Sequence, residues 1–167
     1  MSDFYKFAPL DRKGNVFDFS QLKDKVVLIV NISHKSALNP QYKELEELYW
    51  RFKKQDFIVL AFLCDQFIHQ DREESDGNND TDVDNVFLSM NTMSFPILGN
   101  IDVNGLNTDP VYKFLKSKKR DTAGFKGIKW NFAKFLIDRD GKVQGRFSAF
   151  IKPLDLIPAI EELLIQP

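Results

Sequence analysis

The chain has 167 residues and a single cysteine, Cys64, so an internal disulfide is excluded. Histidine is almost as scarce, with only His34 and His69. Structural zinc needs several Cys or His ligands at short spacing, so no metal centre is expected, and no cofactor motif stands in its place. No apolar run approaches the length that spans a bilayer, and the opening MSDFYKFAPLDRKG lacks an apolar signal core. No membrane span and a cytosolic (cytoplasmic) location are therefore expected. The net charge of -1 offers no global attraction to polyanions, which argues against nucleic acid as a partner. What is present is an ordinary globular balance, 43% hydrophobic and 28% charged, which disfavours disorder. Sixteen phenylalanines point to an aromatic-rich core. The length suits a single domain over residues 1–167 that folds without disulfide or metal support.

The clearest element is the apolar, β-branched run Val26–Ile32, read as a central strand buried on both faces. It runs into SHKSALNPQY and then a helix. Pro40 suits a first helical turn, and Tyr42, Leu45, Leu48, Tyr49 and Phe52 follow at helical spacing. A second buried strand, Phe57–Leu63, completes a β-α-β unit whose crossover of about two dozen residues fits parallel strands. Cys64 ends that strand beside the end of the first. Loops at the carboxyl ends of such strands are where open α/β sheets place their sites. Ser36 lies in the first of these loops, where unpaired backbone N–H groups and the helix dipole converge.

The remaining elements follow from local signals. Residues 4–25 read as an N-terminal hairpin turning at 11–15. Residues 71–85 form a polar, acidic loop entering a short helix at 83–90. Within it Asp80, Asp82 and Asp84 imitate the start of a calcium loop, but Asn85 replaces the glycine and Asn91 the bidentate glutamate, so a solvated charged loop is the reading. A helix is expected over 109–119, with Val111, Phe114 and Leu115 inward and its lysines toward the C-terminal end. Strands at 132–138 and 142–147 flank DRDG, a strong hairpin signal, and a closing helix covers 154–165. The fold class is α/β: a thioredoxin-like fold with a central mixed sheet, helices on both faces and an N-terminal β-hairpin.

FYKFAPLDRKG, KVVLIVN, PQYKELEELY, DPVYKFLK, IKWNF, DRDGKV and IEELL together resemble the glutathione peroxidase family over essentially the whole chain, closest to its short, monomeric, fungal-like branch. The resemblance implies that Ser36, Gln70, Trp130 and Asn131 occupy the four catalytic positions, with Ser36 in place of the peroxide-reducing cysteine or selenocysteine. The family chemistry needs a low-pKa sulfur that becomes a sulfenic acid; a serine hydroxyl stays protonated at neutral pH and has no such oxidation state. The position of the resolving cysteine falls on Phe87. Nearby loops depart as well, with Leu38, Asn39, Leu63, Asp65 and Ile68 at positions the family fills otherwise. If residue 68 carries the family's glycine conformation, a β-branched side chain there strains the loop and disturbs Gln70.

Three functions remain open on this reading. One is a non-catalytic, glutathione-peroxidase-like pseudoenzyme that binds a protein partner, with the basic residues Lys116, Lys118, Lys119, Arg120, Lys126 and Lys129 suited to an acidic one. Another is a thiol-dependent peroxidase using Cys64 in a one-cysteine cycle, with hydroperoxide and an external thiol reductant as its partners. A third is an inactive Cys-to-Ser variant of an active peroxidase, natural or engineered; the number of altered flanking positions favours natural divergence. Each candidate also has a structural explanation: Ser36 as a helix cap, Trp130 as groove packing, Asn131 as a backbone tie and Cys64 as a buried strand-end residue. A monomer is expected.

Overall fold

Strand β1, Val26–Ile32, is buried at all seven positions, as its two-sided hydrophobicity requires. The computed structural model describes residues 1–33, 40–67 and 93–167. β1 pairs in parallel with β2, Phe57–Leu63, with Val26 opposite Phe57 and Ile32 opposite Leu63. On its other side β1 pairs antiparallel with β4, Lys134–Ile137. β3 (Ile97–Leu98) and β5 (Val143–Phe147) complete a five-stranded mixed sheet in the order β3-β2-β1-β4-β5.

Alternation along β1 sends side chains into two cores. Val26, Leu28, Val30 and Ile32 meet Tyr42, Leu45, Leu48 and Phe52 of helix α1, Gln41–Phe52, together with Ile160, Leu163 and Leu164 of α3, Ile157–Ile165. Val27 and Ile29 meet Val111, Tyr112 and Leu115 of α2, Pro110–Lys118, and the N-terminal aromatics Phe4 and Phe19. Each fully buried aliphatic side chain contributes about 1.5–3 kcal/mol of transfer free energy. Asp109 caps α2, accepting from the Val111 N–H at 2.9 Å, with Pro110 in the first turn.

Two expectations need correction. The N-terminal hairpin turns at 11–15 but is shorter than expected: Leu10 bridges Val16, and the N–H groups of Asp11, Phe17 and Phe19 donate to the carbonyls of Asn15 (2.8 Å), Pro9 (2.7 Å) and Phe7 (2.9 Å), while residues 3–6 form a 3-10 turn. Phe4 and Tyr5 are adjacent and both buried, a placement that a helical turn provides and strand alternation does not. The closing helix is split into a 3-10 turn, Pro153–Leu156, and α3. Pro158 lacks an N–H and tolerates a helix only in its first turn, so the α-helical ladder begins at residue 157. Strand β3 was not foreseen, being two residues long and preceded by Pro96.

The DRDG junction is a β4–β5 turn. The Asp138 carboxylate accepts from the backbone N–H groups of Asp140 (2.9 Å) and Lys142 (3.0 Å), and Gly141 takes a positive φ of 78°. Both ends of the chain fasten there. Ser2 Oγ donates to the Gly141 carbonyl at 2.7 Å and Tyr5 Oη to that of Arg139 at 2.9 Å. The Arg139 guanidinium in turn donates to the carbonyls of Asp24 (2.7 Å), Gln55 (3.2 Å) and Leu164 (2.9 Å).

Candidate functional site

The carboxyl ends of β1 and β2 and the entry to β4 converge at one end of the sheet. Cys64 N donates to the Ile32 carbonyl at 2.7 Å, so the exits of the two parallel strands are tied together. Asn31, fully buried near the end of β1, grips the segment that precedes β4. Its carbonyl accepts from Phe132 N at 2.7 Å, and its Nδ2 donates to the Trp130 carbonyl at 3.1 Å. Residues 130–132 are thereby held on both sides of Asn131, which is buried, while Trp130 is half-buried. Phe132 has φ +64°, a left-handed conformation rare for an aromatic residue and costing about 1–2 kcal/mol. Its ring lies edge-on to Tyr42 of α1, with centroids 6.1 Å apart, and that burial offsets the strain.

Beneath the same turn lies Lys134, an ammonium-bearing side chain with no solvent exposure. Its Nζ donates to the Phe132 carbonyl at 2.7 Å. Burial pushes its pKa down to about 7, with the Glu44 carboxylate opposing the shift. Neither Asn31 nor Lys134 was singled out from the sequence. A polar or charged residue inside an otherwise apolar strand, as in VVLIVNI and AKFLI, is the signal that identifies them.

Of the sequence-derived site residues, the structure brings Trp130 and Asn131 to this end of the sheet, across from Cys64 at the β2 exit. Ser36 and Gln70 lie outside the described residues, as do His34, Leu38, Asn39, Ile68, His69 and Phe87. The loop at 71–85 with Asp80, Asp82 and Asp84, and the expected helix at 83–90, lie outside them too. Cys64 is described, and it does not match what a reactive thiol requires. It is buried, and burial pushes its pKa up, against weaker lowering by the backbone N–H groups of Gln66 and Val103.

The basic stretch is only partly a free cationic surface. Lys116 folds inward to the Val103 carbonyl, and Lys129 pairs with Asp121 at 3.1 Å, whereas Lys118, Lys119, Arg120 and Lys126 are exposed. The loop they occupy is braced by Arg146 of β5, whose guanidinium donates to the carbonyls of Lys119 (2.9 Å), Lys126 (2.8 Å) and Gly127. Among the described residues, no group of three His, Cys, Asp or Glu side chains could hold a metal ion. Among the same residues, no helix is long and apolar enough to cross a membrane.

Comparison with known proteins connects this geometry to a family. The glutathione peroxidase family matches residues 4–116. The glutathione peroxidase-like peroxiredoxin HYR1 of Saccharomyces cerevisiae is 53% identical over 165 residues, spanning 98% of both chains. Among solved structures, Trgpx in its apo form superposes with a TM-score of 0.81 at 38% identity, covering 100% of this chain and 99% of that one. A thioredoxin-family thiol:disulfide interchange protein from Chlorobium tepidum has a TM-score of 0.62 at 12% identity, covering 95% of this chain and 92% of its own, which shows the thioredoxin-like fold alone.

Proposed function

Because the chain belongs to the glutathione peroxidase family, we propose that it is a non-catalytic member in which Ser36 stands at the position of the peroxide-reducing cysteine. Gln70, Trp130 and Asn131 are the retained remainder of that site, and the protein acts by binding or regulating a partner. It does so as a cytosolic, single-domain monomer. The exposed Lys118, Lys119, Arg120 and Lys126 suit an acidic protein surface.

The observation that carries this reading is the state of sulfur in the chain. Peroxide reduction begins when a thiolate attacks a peroxide oxygen; the O–O bond breaks, sulfenic acid forms and the alcohol or water leaves with a proton. The chain has one cysteine, and it is buried with its pKa raised. A serine oxygen at position 36 supplies neither the nucleophile nor the oxidation state.

Stopped-flow mixing of the protein with hydrogen peroxide, with dimedone to trap sulfenate, tests the reading. Peroxide is expected to decay at the buffer rate, with no adduct at Cys64. A rapid, Cys64-dependent adduct would instead establish a thiol-dependent peroxidase. Ser36→Cys adds a second measurement: restored peroxide reduction with an external thiol identifies an inactive variant with an intact pocket, and continued silence identifies a site that the altered loops have closed.

A further inference from the structure

Two side-chain amides in series join the exit of β2 to the segment that carries Trp130. Gln66, two residues beyond Cys64, holds the following loop through its Oε1, which accepts from Val103 N at 2.8 Å and Asn104 N at 3.1 Å. Its Nε2 donates to the Asn104 carbonyl at 2.9 Å. Asn104 then repeats the motif on the next segment: Oδ1 accepts from Ile128 N at 2.9 Å and Nδ2 donates to the Ile128 carbonyl at 2.7 Å. A side-chain amide that meets both the N–H and the C=O of one residue fixes that residue in distance and in rotation, as a strand partner does.

The surroundings hold this relay in one place. The loop bearing Asn104 is anchored to β2 by Ile101 N donating to the Leu63 carbonyl at 2.9 Å, and closed by Asp109 N donating to the Asp102 carbonyl at 2.8 Å. Lys116 reaches from α2 to the Val103 carbonyl and, at 3.4 Å, to Asn104 Oδ1. Ile128 is buried, so its backbone groups depend on protein partners such as Asn104. Gly127 lies so close that a Cβ there would stand 3.3 Å from Asn104 Oδ1. From Ile128 the chain has only Lys129 to cross before Trp130.

We propose that Asn104 is a positioning residue: its amide sets Trp130 and Asn131 in place relative to the β2 exit, which leads in sequence to Gln70. The inference rests on the reading that these residues line the site, and it is independent of whether the site turns over. Asn31 fixes residues 130–132 from the β1 side, and Asn104 fixes the approach to them from the β2 side. The same segment is thus held by one asparagine at the end of β1 and by another in the loop that Gln66 ties to the β2 exit.

Trp130 is its own reporter once the second tryptophan is removed as Trp50→Phe, an exposed position on α1. In that background, Asn104→Ala is expected to raise the acrylamide quenching constant of Trp130 about twofold and to red-shift its emission. Asn104→Asp, which keeps the acceptor for Ile128 N and loses the donor, is expected to fall between parent and alanine. Leu164→Ala, at the far end of the sheet, lowers the melting temperature yet leaves Trp130 as in the parent. Unchanged quenching and emission in Asn104→Ala overturn the proposal, as does an equal change in Leu164→Ala. Should Asn104→Ala lose its cooperative melt, Asn104→Asp decides by the same readout, an unchanged signal again overturning it. Activity in Ser36→Cys, measured separately, tests only the functional reading beneath.

Discussion

Lys134 Nζ donates to the carbonyl of Phe132 at 2.7 Å, and the side chain that does so has no contact with solvent. A buried amine raises the free energy of the folded state while it is charged. It also satisfies the carbonyl of a residue held at φ +64°. The strained turn and the costly charge therefore depend on each other.

The pH dependence of stability follows from that pair. Below about pH 7 both folded and unfolded chains carry the Lys134 proton, and the residue adds no slope. Between about 7 and the ordinary value of 10.5 the unfolded chain binds a proton that the folded chain has released, so stability rises with pH. Above 10.5 the slope vanishes again. Thermal melts of the wild type and Lys134→Met from pH 6 to 10 are expected to diverge, the wild type gaining on the order of a few kcal/mol relative to the variant. Parallel curves refute the assignment.

Cys64 is expected to be unreactive in the native protein. Its thiol is buried and its pKa raised, so reaction with Ellman's reagent waits for an opening of the structure. The rate at neutral pH is expected to be at least ~100-fold lower than in denaturant, a gap that corresponds to about 2.7 kcal/mol of opening free energy. Prompt native labelling contradicts this.

The loop at 119–129 is expected to depend on one guanidinium. Arg146 satisfies three of its carbonyls and lies over the Phe135 ring, 5.2 Å from the centroid. Arg146→Met leaves those acceptors to water and is expected to speed tryptic cleavage after Lys119, Arg120 or Lys126 by roughly tenfold, about 1.4 kcal/mol of lost local stability. Arg146→Lys should recover little, because a point charge cannot span three carbonyls. Wild-type cleavage rates in both variants would show that the brace is dispensable.

Tyr112 offers a gain instead of a loss. Its hydroxyl is buried without a hydrogen-bond partner among the described residues, and its ring packs edge-on between Phe62 (5.8 Å) and Phe135 (6.1 Å). Tyr112→Phe removes the unsatisfied group and keeps the packing, so the melting free energy is expected to increase by about 1 kcal/mol. A loss of stability would reveal a partner for the hydroxyl.

The sequence already contained the α/β sheet, the buried strands at Val26–Ile32 and Phe57–Leu63 and the DRDG turn, because each rests on local periodicity or turn chemistry. It did not contain β3, whose two residues join the sheet only because β2 offers an open edge. The N-terminal hairpin proved shorter than its turn signal suggested, because Phe4 and Tyr5 enter a 3-10 turn that places both rings in the core shared by α2 and the sheet. At the candidate site, Trp130 and Asn131 stand in the motif IKWNF. Asn31 and Lys134 stand out only as polar residues inside apolar strands, and Gln66 and Asn104 carry no local signal, because what they do is to hold the backbone of residues remote in sequence.

The β4–β5 turn has a mechanical consequence. Ser2 and Tyr5 near one end and Leu164 near the other are bonded to residues 139 and 141. A force pulling the chain by its ends therefore loads this turn before it reaches the pairing of β1 with β2. The turn is the fuse: under tension the N-terminal segment peels from the Arg139 and Gly141 carbonyls and the C-terminal one from the Arg139 guanidinium first, while the parallel strands stay in register.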